Sequence, residues 1–519
     1  MKKQHTTEMD WGLTIFPLAV IVALAVLLIA FPENAGNVIN SMRGFLVNDI
    51  GFAYMIFGLA VVGISLYVAL SKYGNIRLGQ REKPRYSNFS WGTMIFTSTM
   101  AADILYWALI EWAYYYNERP FAMENMTLAQ HQDWASQYPL FHWGPTPWAF
   151  YILPAAAYGY MMYVKKSHKQ RMSEACRPIL GKRMDGALGK AIDIFAVVGL
   201  LAATATTFSL ATPLLSQSLA DITGLPQSKL LTIGILVLIA VVFTLAVFFG
   251  FKGISKLANV CVLLFFLLLA IFFFGGPMRY IVETGVTAIG GVAQNFLSMS
   301  TWMDPLRLSS ADGVNGFPQN WTIFYWAYWI SWSVATPFFI AKISEGRTIR
   351  QTILGAYISG VSATFMAFIV FGNYGLYQQV TGTVDVAGML ADGAAPSTAI
   401  LSVFETLPIP KIAMIVLILA MIAFYASTFD AITMVISTYS VKNLKEDEEP
   451  SRRLRIFWSI VFILLPIALL FNESTLTMLQ TLSICAALPI MVIICIIVAG
   501  FLRQLRHHGE EETKKSSHS

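Results

Sequence analysis

The stretch Trp321–Trp332 reads WTIFYWAYWISW. Coiled as a helix, it puts Tyr325, Trp329 and Trp332 on one face, at spacings of four and three, with Tyr328 beside them. Such a face suits part of an aromatic cage, which holds a quaternary ammonium group by cation–π attraction without a countercharge. A belt of Trp and Tyr at the membrane surface is the commoner reason for these residues in a membrane protein. Depth argues for the cage. In a helix starting near Trp321, Trp332 lies roughly 16 Å further along at 1.5 Å per residue, near the middle of a ~30 Å hydrocarbon core.

The rest of the chain is apolar enough to make that core. Of 519 residues, 56% are hydrophobic and 13% charged, and the mean hydropathy is +0.60, which indicates an all-α polytopic membrane protein in contact with lipid. Cys176, Cys261, Cys485 and Cys495 show no paired spacing, so structural thiols are expected, with neither a disulfide framework nor a metal site. The opening MKKQHTTEMDWG leads into an apolar run without a small-residue cleavage site and reads as a retained first span. A net charge of +5 spread over loops needs no nucleic-acid partner.

Twelve stretches are long enough to span, near 13–31, 50–70, 92–116, 144–164, 191–216, 230–251, 257–275, 321–341, 352–378, 410–436, 455–471 and 478–502. Residues 277–300 mix small, apolar and polar side chains, as in an amphipathic helix lying along the membrane. Basic residues collect in alternate connections: Lys2 and Lys3, Arg77 to Arg85, Lys165 to Arg183, Lys252 and Lys256, Lys342 to Arg350, Lys442 to Arg455, then Arg503 and Arg506. The 379–407 connection has no Lys or Arg, so both termini are expected on the cytoplasmic side. Residues 1–12 and 503–519 are then cytoplasmic tails around one transmembrane domain, 13–502, and the closing GEEETKKSSHS reads as disordered.

Three spans are interrupted by polar groups. The third carries Asp103 and Glu111, the fifth has Thr204-Ala205-Thr206-Thr207-Phe208-Ser209 followed by Pro213, and the tenth has Ser427-Thr428-Phe429-Asp430. Ionisable groups in a bilayer are costly and face a cavity or a partner, which makes each a functional candidate. Hydroxyls also serve as glue within and between helices. For the fifth-span threonines the two readings stay even; Asp103 needs a cavity, a proton or a cation.

At this point the residues resemble a known family. FYWAYWISW (Phe324 to Trp332) followed by IAKISEGRTIRQ (Ile340 to Gln351) is similar to the signature of the betaine/choline/carnitine transporters. FHWGPTPWAFY (Phe141 to Tyr151), RPILGKRMDG and LQTLSICAALP look like other family stretches. The resemblance implies a LeuT-type core of two inverted five-helix repeats, spans three to seven (about 92–275) and eight to twelve (about 321–502). Two peripheral helices precede it, the binding site lies at the midplane, and the family assembles as a homotrimer. Matched by position, the family's aromatic box falls on Trp143, Trp148 and Tyr151 of span four and Trp329 of span eight, with Trp332 and Tyr328 lining the path. Tyr328 departs from the pattern, since the family usually has tryptophan there.

IEWAYYY in span three, LATPLL in span five and the DPLRL…GFPQNW approach to span eight look most like the carnitine exchangers. Those proteins carry an arginine in span seven in place of a coupling cation, and the matching residue here is Cys261. Sodium-coupled members place two hydroxyls at a sodium site in span ten, where Ser427 and Thr428 match, and carbonyls at Thr97 and Met100 would complete it. Asp103 stands where many betaine transporters have glycine, and choline-selective members resemble this chain in having aspartate. Physics agrees: an ionised Asp103 would repel the carboxylate of betaine or carnitine, yet balance choline's charge and accept from its hydroxyl. A neutral Asp103 would instead donate to a substrate carboxylate, or carry a coupling proton. Glu111, two turns further on, is expected near the extracellular end, and Asp430 reads as a structural or gating contact.

The expectation is a secondary transporter of quaternary ammonium compounds in the cytoplasmic membrane, with choline uptake driven by Na⁺ first. The alternatives are carnitine, betaine or butyrobetaine exchange or uptake, and H⁺-coupled choline import. A channel would show a repeated pore motif, and a receptor a soluble signalling domain, for which no cytoplasmic segment is long enough. An enzyme is not expected, because HExxH and GxSxG do not occur and the seven histidines fall in tails or loops. Osmotically activated relatives have long charged extensions, so the short tails suggest a nutritional role.

Overall fold

The computed structural model describes residues 8–98, 101–167, 169–248, 251–310, 315–442, 450–471 and 476–516, which contain helices and no β-strand beyond two isolated bridges. The principal helices are α1 (Trp11–Ala30), α2 (Gly51–Leu70), α3 (Asn88–Ser98), α4 (Ala102–Tyr116), α5 (Leu128–His142), α6 (Pro145–Gly159), α7 (Ala187–Thr223), α8 (Lys229–Phe248) and α9 (Phe251–Gly275). They continue as α10 (Met278–Thr301), α11 (Ile323–Trp332), α12 (Thr336–Ile343), α13 (Ile349–Ala367), α14 (Pro410–Tyr439), α15 (Arg452–Phe471) and α16 (Leu476–Ser516). Among the described residues, six helices are long and apolar enough to cross a membrane: Gly51–Leu70, Ala187–Thr223, Lys256–Gly275, Ile349–Val380, Pro410–Tyr439 and Gln480–Glu510. The pair α3–α4, bent by 66°, makes a seventh. Trp11–Leu24 and Lys229–Leu245 are shorter apolar helices.

Two of the expected spans are broken in the middle. Span three divides into α3 and α4, and span eight into α11 and α12. Hydroxyls make these breaks tolerable where water is scarce. Thr97 and Ser98 donate to the carbonyls of Met94 and Ile95 at the end of α3, and Ser331 and Ser333 do the same for Ala327 and Ile330 in α11. Ile95 O and Ile330 O fall among the last four carbonyls of their helices, which lack a full set of intrahelical donors, and the hydroxyls of Ser98 and Ser333 reach them.

Connections that alternate along the chain gather at two ends. At one, Arg77 donates to Gly346 O, Arg81 pairs with Glu345, Tyr163 Oη donates to Lys342 O, and Arg503 donates to Pro178 O. There too Arg171 reaches Tyr439 O, Val441 O, Asp10 and Asp193, so one guanidinium ties together the first helix, the loop after span four and the end of α14. At the other end Arg43 donates to Gln480 and Asn320, Asn117 to Ala387 O, and Gln217 to Thr398. These two groups are the Lys/Arg-rich and Lys/Arg-poor connections of the sequence.

Four expectations change. The terminal segment is not disordered through its length, because α16 continues to Ser516. His131 and His142 lie within α5 rather than in a loop, and His142 is fully buried. Helix α5 itself was not foreseen. Its apolar content is low, but Thr127 and Gln130 form a reciprocal capping box at its start. The Lys/Arg-free connection, read as loop, contains the short helices Val386–Ala391 and Pro396–Phe404. Residues 277–300 do form one amphipathic helix, α10.

Candidate functional site

Trp329 is the hub of the expected box. Its ring centroid lies 5.3 Å from that of Trp143, 5.8 Å from Trp148 and 4.9 Å from Tyr151, at interplanar angles of 43–69°. Trp148 and Tyr151 meet edge to face at 6.0 Å. All four are buried, and among the described residues the indole N–H groups of Trp148 and Trp329 have no hydrogen-bond partner. Three elements supply the rings. Trp148 and Tyr151 lie on α6, one face apart by three residues, Trp329 on α11, and Trp143 at the joint between α5 and α6, where Gly144 and Pro145 turn the chain. A fourth element backs them. Thr364 of α13 donates to Trp143 O at 2.7 Å, and Gly360, one turn earlier, lets the ring of Trp148 lie directly against the α13 backbone.

Asp103 sits beside this group in the first turn of α4, just past the span-three break. Its Oδ1 accepts from Ile104 N at 3.0 Å, and its Oδ2 accepts from the Tyr328 hydroxyl at 2.8 Å. Tyr328 in turn shares a short hydrogen bond with Thr207 of α7. The extra hydroxyl that distinguishes Tyr328 from tryptophan thus links both broken helices to span five. This separates the span-five threonines: Thr204 bonds back to Leu200 O and Thr206 to Ala202 O and Ser483, as glue, whereas Thr207 reaches the site. Trp332 ends α11, half-buried, and among the described residues its ring joins none of the box contacts.

Ser427 and Thr428 are half-buried on α14, and Thr97 lies on α3 with its hydroxyl on Met94 O. Met100, the remaining expected ligand, lies outside the described residues. Asp430, one turn on, forms an ion pair with Arg455 of α15. Cys261 is buried on α9. Among the described residues no group of three or more His, Cys, Asp or Glu gathers as a metal site would require.

Glu111 belongs to the site more directly than its sequence position suggested. Fully buried, it accepts from the indole N–H of Trp143 at 2.7 Å and from Tyr115 Oη at 2.8 Å, and His142 Nδ1 lies 3.4 Å away. His142 Nε2 reaches Thr322 Oγ1 at 3.0 Å, and the imidazole stacks on Tyr325 at 4.8 Å. No motif marks this set; its one signal was a glutamate and a histidine in otherwise apolar surroundings.

Against known proteins, residues 12–510 match the model of the betaine/carnitine/choline family transporters. YeaV of Escherichia coli K12, described as an uncharacterized transporter, is 32% identical over 86% of this chain and 92% of its own length. A carnitine transporter of Acinetobacter baumannii is 30% identical over 87% of this chain and 80% of its own. A probable glycine betaine transporter of Desulfitobacterium hafniense Y51 is 30% identical over 95% and 97%.

Proposed function

Since the chain belongs to the betaine/carnitine/choline transporter family and is a multi-pass membrane protein, we propose that it is a secondary active importer of a quaternary ammonium compound, choline first, driven by Na⁺. One observation carries the substrate class. Trp329 meets Trp143, Trp148 and Tyr151 in a buried cluster with, among the described residues, no basic side chain in its ring contacts, and Asp103 stands beside it through Tyr328. Ring faces attract a trimethylammonium group within about 6 Å of each centroid, worth roughly 2 kcal/mol or more when desolvated. With the rings already touching, entry of that group requires Trp329 to part from α6.

This motion accords with alternating access in a LeuT-type core. The two broken helices stand first in each proposed five-helix repeat, and discontinuous helices at corresponding positions are where such transporters bind substrate. Twelve spans, cytoplasmic termini and a homotrimer belong to the same reading. Ser427 and Thr428, with Thr97 and Met100, would hold Na⁺ between spans three and ten.

A second reading is exchange or uptake of carnitine or betaine, favoured by the substrates in the relatives' names. Asp103 opposes it, because an ionised carboxylate there repels a zwitterion's own carboxylate. Uptake of radiolabelled choline into proteoliposomes, with and without an inward Na⁺ gradient and challenged by unlabelled carnitine and betaine, separates the two. Na⁺-dependent choline uptake supports the proposal. Choline ignored, with carnitine exchanging in the absence of a gradient, overturns it.

A further inference from the structure

Trp143 faces two ways. Its ring packs on Trp329 in the cage, while its N–H ends on a carboxylate buried behind the cage. We infer that Glu111 and His142 bind one proton between them, and that the cage, through Trp143, couples release of this proton to arrival of the substrate cation.

The geometry is that of a closed relay. Tyr115 Oη lies 2.8 Å from Glu111 Oε1 and 2.9 Å from His142 Nδ1. With Tyr115 donating to Glu111, the imidazole must donate from Nδ1 to the phenol oxygen, and its Nε2 accepts from Thr322. One further proton then has two places to go: Glu111, or His142 Nε2. The direct Nδ1–Oε1 approach of 3.4 Å and the Tyr115 bridge connect them without solvent, since neither side chain has exposed surface. Among the described residues each is the other's only ion-pair partner, so an ionised Glu111 beside a neutral His142 is an uncompensated buried charge. A proton supplies the compensation when the cage is empty. A trimethylammonium group behind the Trp143 ring supplies it when the cage is filled.

The other titratable groups facing the pair are phenols: Tyr115 between them, Tyr325 stacked on the imidazole, and Tyr138 with its ring 5.4 Å from it. Glu118 lies further out, accepting from Trp321 Nε1. Asp103, the other buried carboxylate of α4, accepts from Tyr328. The relay also joins α4 to Thr322 at the approach to α11, so both broken helices carry part of it.

The test rests on the cage reading and is arranged to fail separately from it. Purified full-length protein in detergent, weakly buffered, is titrated with choline, carnitine and glycine betaine while tryptophan fluorescence and a pH indicator dye are followed. Loss of quenching in Trp329→Ala supports the cage; quenching that survives, or no quenching by any of the three, overturns the cage and this inference together. With the cage standing, the wild type is expected to release up to about one proton per substrate, its Kd weakening by up to tenfold per pH unit on the acid side. Glu111→Gln keeps an acceptor for Trp143 but takes no proton, and is expected to bind with a flat pH profile and no release. His142→Gln, the second variant, is expected to flatten the profile as well. A merely structural role would shift Kd at every pH and leave the slope. A slope retained in Glu111→Gln and lost in Asp103→Asn assigns the proton to Asp103 and overturns the inference, as does a wild type with no slope.

Discussion

Gly360→Ala tests the proposed cage without replacing any of its rings. A β-carbon built at Gly360 would lie 2.5 Å from three atoms of the Trp148 indole. Carbon atoms settle about 3.5–4.0 Å apart, so the ring or the helix must retreat by roughly 1 Å. Thr364 pins α13 to the carbonyl of Trp143, so the ring is the freer of the two, and its retreat leads toward Tyr151 and Trp329. Overpacking of this kind costs about 1–3 kcal/mol, partly offset by the better helix propensity of alanine, about 1 kcal/mol. If a net strain of about 1–2 kcal/mol falls on the cage, the Kd for substrate weakens by about fivefold to 30-fold. Gly63→Ala is the control, because an added β-carbon there meets nothing within 4 Å. Isothermal titration of both variants, with thermal unfolding to confirm folding, reads the difference. Gly360→Ala with wild-type affinity and wild-type stability would show that the Trp148 ring has room to move without consequence, and would refute its place in the cage.

Asp103→Gly should weaken choline and improve betaine in competitive uptake, by about tenfold in their ratio if a charge-assisted hydrogen bond is at stake; an unchanged ratio assigns Asp103 to coupling or structure. Ser427→Ala combined with Thr428→Ala should abolish Na⁺ stimulation in proteoliposomes, and a fully stimulated double variant excludes that site. Arg171→Ala removes the guanidinium that joins Asp10, Asp193 and the end of α14, and should expose the N-terminal segment to limited proteolysis. An undiminished digestion half-life would mean that the other contacts of that segment suffice.

Much of the architecture was legible because hydropathy needs only composition over about twenty residues, as α2, α7 and α14 illustrate. The box was legible for a different reason, since Trp143, Trp148, Tyr151 and Trp329 sit in long aromatic motifs. Helix breaks were harder to see. Thr97 and Ser98 look like ordinary polar residues in an apolar run, and their role as carbonyl caps depends on a bend that local pattern does not encode. The Glu111–Tyr115–His142 set was invisible for a third reason: Glu111 and Tyr115 are one helical turn apart, but His142 joins them from 27 and 31 positions away, and no periodicity relates it to them. His142 looked like a loop residue because α5 is too polar to announce itself as a buried helix.

The unbroken course of α16 has a mechanical consequence. At 1.5 Å per residue its 41 residues extend roughly 60 Å, about twice the thickness of a hydrocarbon core, and nothing but Pro489 interrupts them. Its inner half packs against α7 and α11, the latter carrying Trp329. The outer half stays packed as well: Phe501 and His508 meet Tyr160 just past α6, Arg503 donates to Pro178 O, and Leu505 is buried. One rod thus joins the helix that carries Trp329 to the Lys/Arg-rich connections, and any tilt of it must move both together.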